Sequence, residues 1–157
     1  MKLFELLADI PADFGPSAVA IGKFDGVHIG HVAMIRRAQE LAEQRGLVST
    51  IVTFDRHPRA VIDPKFAPVD ITGMVRRIDL LEHTGADAAV VLPFTEDLAD
   101  LSPRDFAATV LRDTLHANVV VVGKDFRFGH KAAGTVASLE EFGRELGFDV
   151  VVMEDVL

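Results

Sequence analysis

Short apolar runs alternate with amphipathic stretches along most of this chain. Val119-Val120-Val121-Val122 is a β-branched run typical of a strand in a sheet covered on both faces. Ile35, Ala38 and Leu41 instead recur at the spacing of one helical face. The pattern predicts strands at 18–22, 47–54, 87–93, 118–123 and 148–153. It predicts helices at 30–45, 72–84, 103–116 and 135–146, and leaves the opening, up to about Ser17, undefined.

Individual residues support two of these helices. Ser102 suits an N-cap, and Pro103 suits the first helical position. Val136, Leu139 and Phe142 form a helical stripe that ends before Gly147. We therefore interpret this stripe as part of the hydrophobic core.

Alternation of strands and helices indicates an α/β fold with a parallel sheet, right-handed crossovers and helices on both faces. The expected order of the five strands is 3-2-1-4-5, in which the first and fourth strands are neighbours. Ligands bind such sheets at the carboxyl ends of the strands where the winding reverses. The loops at 22–31 and 123–131 should therefore line one crevice.

Length and composition limit the classes of protein. A chain of 157 residues with 49% hydrophobic residues is sufficient for one compact domain. The net charge of -8 argues against binding to nucleic acid or to a membrane surface, and no apolar run approaches a membrane span. The start of the chain lacks the form of a secretory signal, so we expect a cytoplasmic protein. The absence of cysteine excludes disulfides and thiolate metal sites.

Cationic side chains cluster in spite of the acidic balance. Of the 16 Lys and Arg residues, six follow predicted strands: Lys23, Arg56, Arg59, Lys124, Arg127 and Lys131. Four of the six histidines fall in the same loops: His28, His31, His57 and His130. A positive cluster at one end of the sheet is typical of a site for a small anionic ligand.

The turn Gly22-Lys23-Phe24-Asp25-Gly26-Val27-His28-Ile29-Gly30-His31 leads from the first predicted strand into a helix. The N–H groups of a first helical turn lack intrahelical partners and face the positive end of the helix dipole, which suits a phosphate. His28 and His31 are three residues apart and can meet one ligand from the same face. Both can donate hydrogen bonds to phosphate oxygens. The alternatives are a metal-binding pair and ordinary histidines at a helix start.

Two further loops carry candidate chemistry. Phe126 and Phe128 alternate around Arg127, so two rings can hold a flat heteroaromatic group while the cation pairs with a phosphate. The alternative is that these rings only close the end of the sheet. Asp125 can contact a ribose hydroxyl or a metal-bound water, or it can cap a turn. The second loop follows Phe54, where Arg56 and Arg59 are either phosphate partners or a surface pair.

These motifs together resemble those of a known family. Gly-x-Phe-Asp-Gly-x-His-x-Gly-His is similar to the nucleotidyltransferase signature of bacterial FAD synthetases, the bifunctional riboflavin kinase/FMN adenylyltransferases. Two later stretches match in order and spacing: Thr53-Phe54-Asp55-Arg56-His57-Pro58 and Gly123-Lys124-Asp125-Phe126-Arg127-Phe128-Gly129. The resemblance covers nearly the whole chain and implies a Rossmann-like nucleotidyltransferase domain.

The resemblance also implies roles for residues in all three motifs. His28 and His31 become the catalytic pair. The residues implied in nucleotide binding are Gly22, Lys23, Phe24, Asp25, Gly26, Gly30, Gly123, Lys124, Asp125 and Arg127. Those implied in FMN binding are Phe54, Asp55, His57, Pro58, Phe126 and Phe128.

The activity implied is adenylyl transfer from ATP to FMN, giving FAD and pyrophosphate. Mg²⁺ is expected to enter with ATP, and no residue is assigned as a direct metal ligand. ATP and FMN are the expected small-molecule partners, and no nucleic acid or membrane is expected. Two alternatives are another adenylyl- or cytidylyltransferase and a nucleotide- or flavin-binding module without chemistry.

One family motif is missing from this sequence. In the family the last strand precedes an Ile-Ser-Ser-Thr-x-x-Arg type segment that holds ATP phosphates, and a riboflavin kinase domain follows. Nothing up to Leu157 corresponds to either. We therefore expect residues 1–157 to be an FMN adenylyltransferase domain truncated at its carboxyl end, weakly active or inactive by itself.

Overall fold

A computed structural model describes residues 1–22, 29–55, 79, 81–93 and 95–154 of the chain. The strands are β1 (Lys2–Phe4), β2 (Ser17–Ile21), β3 (Val48–Asp55), β4 (Ala88–Pro93), β5 (Ala117–Gly123) and β6 (Asp149–Met153). The α-helices are α1 (Ile29–Arg45), α2 (Glu96–Ala99), α3 (Pro103–Phe106) and α4 (Val136–Leu146). A π-helix spans Ala107–Thr114, and 3₁₀ turns span Leu7–Asp9 and His130–Ala132.

All strands of the sheet run parallel, in the order β1-β4-β3-β2-β5-β6. The five predicted strands are β2 to β6, each within one residue of its predicted ends, so the predicted order is confirmed. The predicted count of five was wrong, because β1 adds a sixth strand that pairs with β4. Three residues at an edge, two of them exposed, carry too little periodicity to be recognised in a sequence.

Alternate residues of the central strands enter two separate cores. Val19 and Ile21 of β2 join the core formed with the π-helix and α4. Ala18 and Ala20 join the core formed with α1. This alternation confirms that helices cover both faces of the sheet.

The predicted helix at 103–116 begins as expected but changes its pitch. Ser102 caps α3 by accepting a hydrogen bond from the Asp105 N–H at 3.1 Å, and Pro103 is the first helical residue. From Ala107 the chain continues as the π-helix, which replaces the uniform α-helix of the prediction. An apolar stripe does not distinguish the two, because both helices bury one face against the core.

Two other predicted helices agree with the structure. The helix expected at 30–45 is α1, and the helix at 135–146 is α4, whose predicted apolar stripe packs against the core. Most of the helix expected at 72–84 lies outside the described residues, although residues 79, 81 and 82 are helical. In the part of the chain described, no helix is long and apolar enough to cross a membrane.

Candidate active site

β2 and β5 are neighbours in the middle of the sheet, with Ala20 of β2 paired with Val121 of β5. Because the two strands are parallel, the loops that follow them start at the same edge. Gly22 comes directly after β2, and Gly123 is the last residue of β5. The structure therefore confirms that the strands bring the starts of the loops at 22–31 and 123–131 together.

Backbone hydrogen bonds hold the first residue of each loop. The Gly22 N–H donates to the Val52 carbonyl at 3.1 Å, and the Lys124 N–H donates to the Met153 carbonyl at 3.1 Å. α1 begins at Ile29, so the backbone of Gly30 and His31 forms its first turn, as the motif predicts. Both loops therefore start from ordered positions beside the amino end of a 17-residue helix.

Phe126 and Phe128 lie on one side of their loop, as their alternation predicts. Their rings are stacked, with centroids 5.5 Å apart and planes 9° from parallel. Arg127 between them is exposed, and Lys124 and Asp125 before them are exposed as well. This arrangement separates an aromatic side of the loop from a polar side.

The two rings differ in burial. Phe128 is 5% exposed and contacts Phe106 and Phe142, with ring centroids 5.8 and 6.4 Å apart respectively. Phe126 is only partly buried. Phe128 is thus a core residue, so of the two rings Phe126 has the larger surface to offer a ligand.

Phe106 lies outside the three sequence motifs, yet it connects three residues implied in FMN binding. Besides Phe128, it contacts Phe54 of β3, with ring centroids 6.5 Å apart. Phe126 reaches this group through Phe128. Phe106 closes the first turn of the short helix α3, and nothing in the sequence indicates that it contacts both β3 and the loop after β5.

The loop after β5, residues 124–134, is called the aromatic loop below. Its far side is attached to the segment at 100–102, before α3. The His130 N–H donates to the Leu101 carbonyl at 2.8 Å, and His130 Nε2 lies 3.8 Å from an oxygen of Asp100. Gly129 has a φ of +79°, and a Cβ there would lie 2.7 Å from the Pro103 nitrogen. No local pattern in the sequence predicts this attachment, since it links residues about 30 positions apart.

Part of the expected site lies outside the described residues. This part comprises Lys23, Phe24, Asp25, Gly26, His28, His57 and Pro58. Asp55 is the last residue of β3, at the same edge of the sheet as Gly22 and Gly123. The roles expected for all these residues stay predictions.

The described polar residues show no built metal centre. Among them, no three His, Asp or Glu side chains form a group that could hold a metal ion. His83 and His116 are both exposed. His83 Nδ1 lies 2.7 Å from the Asp79 carbonyl oxygen, and this hydrogen bond together with the Asp79 charge raises the pKa of His83. Neither histidine belongs to the edge of the sheet where the candidate site lies.

The parallel sheet, its strand order and the helix that starts beside the central strand define a Rossmann-like α/β domain. A family model described as FAD synthetase matches residues 10–157. The chain belongs to the FAD synthetase family.

Relatives of known name agree with this assignment. The chain is 35% identical over 126 residues to the bifunctional riboflavin kinase/FMN adenylyltransferase of Bacillus subtilis, covering 80% of this chain and 40% of that protein. The protein of the same name from Listeria monocytogenes is 34% identical over 139 residues, which cover 87% of this chain and 43% of that protein. The Escherichia coli K12 protein of this name is 32% identical over 132 residues, which cover 84% of this chain and 42% of that protein. This chain therefore spans less than half the length of these three relatives.

Two solved structures share the fold. One is a macrolide-efflux protein from Streptococcus pneumoniae, with a TM-score of 0.77 and 23% identity, covering 99% of this chain and 51% of that one. The other is a pantoate-beta-alanine ligase from Francisella tularensis, with a TM-score of 0.59 and 10% identity, and the match covers 100% of this chain and 68% of that one. At these identities the likeness extends to the fold alone.

Proposed function

We propose that this chain transfers the adenylyl group of ATP to FMN, giving FAD and pyrophosphate. The observation that carries the proposal is the FAD synthetase family match across residues 10–157. The topology supports it, because the loops that carry two of the three motifs start side by side at the carboxyl ends of β2 and β5.

In this reaction a phosphate oxygen of FMN attacks the α-phosphorus of ATP. The bond from that phosphorus to the oxygen bridging to the β-phosphate breaks, and pyrophosphate leaves. No protein nucleophile is required, because positioning and charge stabilisation carry phosphoryl-type transfers. We assign to His28 and His31 the donation of hydrogen bonds to the phosphate oxygens. The amino end of α1 supports this role, since the N–H groups of a first helical turn have no partners within the helix and the helix dipole favours anions.

The flavin ring is proposed to lie against the aromatic side of the loop at 123–131. Phe126 and Phe54 are both partly exposed and both join the aromatic group around Phe106 and Phe128. Offset stacking on such aromatic side chains stabilises the binding of a flat ring. Lys124 and Arg127 are proposed to contact phosphates on the polar side, where Arg127 is exposed.

Mg²⁺ is proposed to arrive bound to the phosphates of ATP, as part of the substrate. This ion keeps several water ligands and prefers substrate phosphates over an all-protein cage. Asp125 is exposed just beyond β5, where it can meet a water of the hydrated ion, and we assign it no direct coordination. A reaction that consumes ATP fits the cytoplasm, which we propose as its location. The names of the relatives support a riboflavin kinase activity as the partner of this domain in the natural protein.

The test follows both products in the natural protein that contains this chain. With ATP, Mg²⁺ and FMN, FAD and pyrophosphate should form in equal amounts, and omission of FMN should abolish both. Pyrophosphate formed with another acceptor but not with FMN would indicate a different nucleotidyltransferase. Binding of FMN or ATP without either product would indicate a module that performs no chemistry.

A further inference from the structure

Gly134 lies where the ring of Phe128 folds back against the backbone. Gly134 N–H donates to the Phe128 carbonyl at 2.7 Å, and Phe128 N–H donates to the Gly134 carbonyl at 3.3 Å. A Cβ at residue 134 would lie 2.7 Å from Phe128 Cε1, 2.8 Å from Cδ1 and 2.7 Å from the Phe128 oxygen. Real Cβ atoms essentially never make contacts this short. The Phe128 ring therefore keeps its position because residue 134 has no side chain.

The position of the Phe128 ring fixes the position of the Phe126 ring, because the two rings are stacked. One face of the Phe128 ring is stacked on the Phe126 ring, and Phe106 and Phe142 pack around it. At 5% exposure the ring is enclosed by these neighbours, so in a densely packed core it tilts only if one of them moves. A displaced Phe128 ring must therefore carry Phe126 with it or push into the core.

We propose that Gly134 is a positioning residue for the flavin substrate, acting through Phe128 on Phe126. The inference rests on the proposed function, since it takes FMN as the ligand of Phe126. Gly134 itself is buried behind Phe128 and touches no substrate in this assignment. A misplacement of about 1 Å at a contact surface is enough to cost up to about 10²-fold in an enzyme reaction.

Gly143 provides a matched control in the same half of the chain. It lies in α4, is buried, and like Gly134 has no left-handed backbone conformation. A Cβ there would lie 2.5 Å from the Phe148 oxygen and 3.2 Å from two Phe148 ring atoms. Gly143→Ala thus creates a comparable clash with a phenylalanine and its carbonyl, but the clash is with Phe148 and not with a ring of the aromatic loop.

The experiment compares Gly134→Ala, Gly143→Ala and the parent in the natural protein, with KM for FMN, KM for ATP, kcat and the unfolding midpoint as readouts. Both variants should unfold at lower temperature than the parent, because both overpack a buried position. For Gly134→Ala we expect KM for FMN to rise about tenfold or more, with KM for ATP and kcat changing by less than about threefold. For Gly143→Ala all three kinetic constants should stay within about twofold of the parent.

The outcomes separate this inference from the proposed function. A parent that forms no FAD refutes the proposed function, and the inference fails with it. A parent that forms FAD while both variants show the same KM for FMN overturns the inference alone. If Gly134→Ala lacks a cooperative unfolding transition, Phe128→Leu takes its place, since it keeps Gly134 and removes the transmitting ring. A KM for FMN equal to the parent's in Phe128→Leu would likewise overturn the inference.

Discussion

Phe126 and Phe128 stand two residues apart in one loop and differ in what surrounds them. Alternation in the sequence predicts that they face the same way, and the stacked rings confirm it. The same alternation cannot reveal which ring is covered, because the cover comes from Phe106 and Phe142 on two other elements. Residue type and spacing therefore predict direction, whereas burial depends on tertiary contacts.

At the same scale, His28→Ala and His31→Ala should each lower kcat for FAD formation by about 10² or more. Each removes a hydrogen-bond donor to charge that develops in the transition state, which typically costs about 3 kcal/mol. Substrate binding should change less, because the donor acts mainly on the transition state. Steady-state kinetics at saturating ATP and FMN measure the effect.

His83→Ala is the matched control for these two variants. His83 is exposed and hydrogen-bonds to the Asp79 carbonyl, away from the edge of the sheet where the candidate site lies. Its removal should leave kcat unchanged. Near-parent turnover in His28→Ala or His31→Ala would contradict the phosphate role of that residue.

At the scale of elements, the ends of helices were more predictable than their interiors. Ser102 and Pro103 begin α3 as their residue types indicate, and Gly147 ends α4 with a φ of +93°. The change from α-helix to π-helix at Ala107 was not predictable, because it depends on which carbonyl each N–H reaches. At the carboxyl end, for example, the Leu115 N–H donates to Val110, five residues back, at 3.1 Å.

The cap of α4 gives a prediction for stability. Thr135 accepts a hydrogen bond from the Ser138 N–H at 3.2 Å, and the Ser138 hydroxyl accepts one from the Thr135 N–H at 2.7 Å. Thr135→Ala leaves the Ser138 N–H without this acceptor, so we expect the free energy of unfolding to fall by about 1 kcal/mol. Urea denaturation measures it.

Thr135→Ser is the control for this substitution. Serine retains the hydroxyl that accepts the hydrogen bond, so it should recover most of the lost stability. Equal losses in the two variants would show that Thr135 stabilises the protein through its methyl group instead of its cap.

At the scale of the whole molecule, the strand order could be predicted from the alternation of strands and helices, because crossover handedness leaves few topologies. The same rule placed the loops after β2 and β5 side by side. It could not predict β1, because its pairing with β4 joins positions as far apart in the sequence as Lys2 and Ala88. Nor could it predict that His130 is hydrogen-bonded to Leu101, since such contacts leave no periodic mark.

The charge of the whole molecule predicts how activity depends on salt. The chain carries a net charge of -8, whereas the exposed loop at one edge of its sheet contains Lys124, Arg127 and Lys131. Raising monovalent salt from about 10 mM to about 1 M shortens the screening length from about 30 Å to about 3 Å. KM for the anionic substrates should therefore rise several-fold, as measured by initial rates at a series of salt concentrations.

Arg127→Gln tests whether this loop is the source of the dependence. Removal of one exposed cation should make KM change less steeply with salt than in the parent. Glu140→Gln is the control, since it removes a charge from an exposed residue of α4. It should leave the dependence of KM on salt concentration unaltered. If KM depends on salt equally steeply in Arg127→Gln and in the parent, Arg127 does not contribute to the attraction of the anionic substrates.

The aromatic loop is attached at both ends and across its middle. Its first N–H is bonded to β6, Phe128 and Gly134 bridge it, and His130 is bonded to the segment before α3. Fixing the backbone of one residue costs about 1–2 kcal/mol of conformational entropy. In this loop that loss occurs when the chain folds and not when a ligand arrives. A ligand that contacts the loop therefore meets an ordered surface, and the free energy of each contact appears in its affinity without being offset by ordering of the protein.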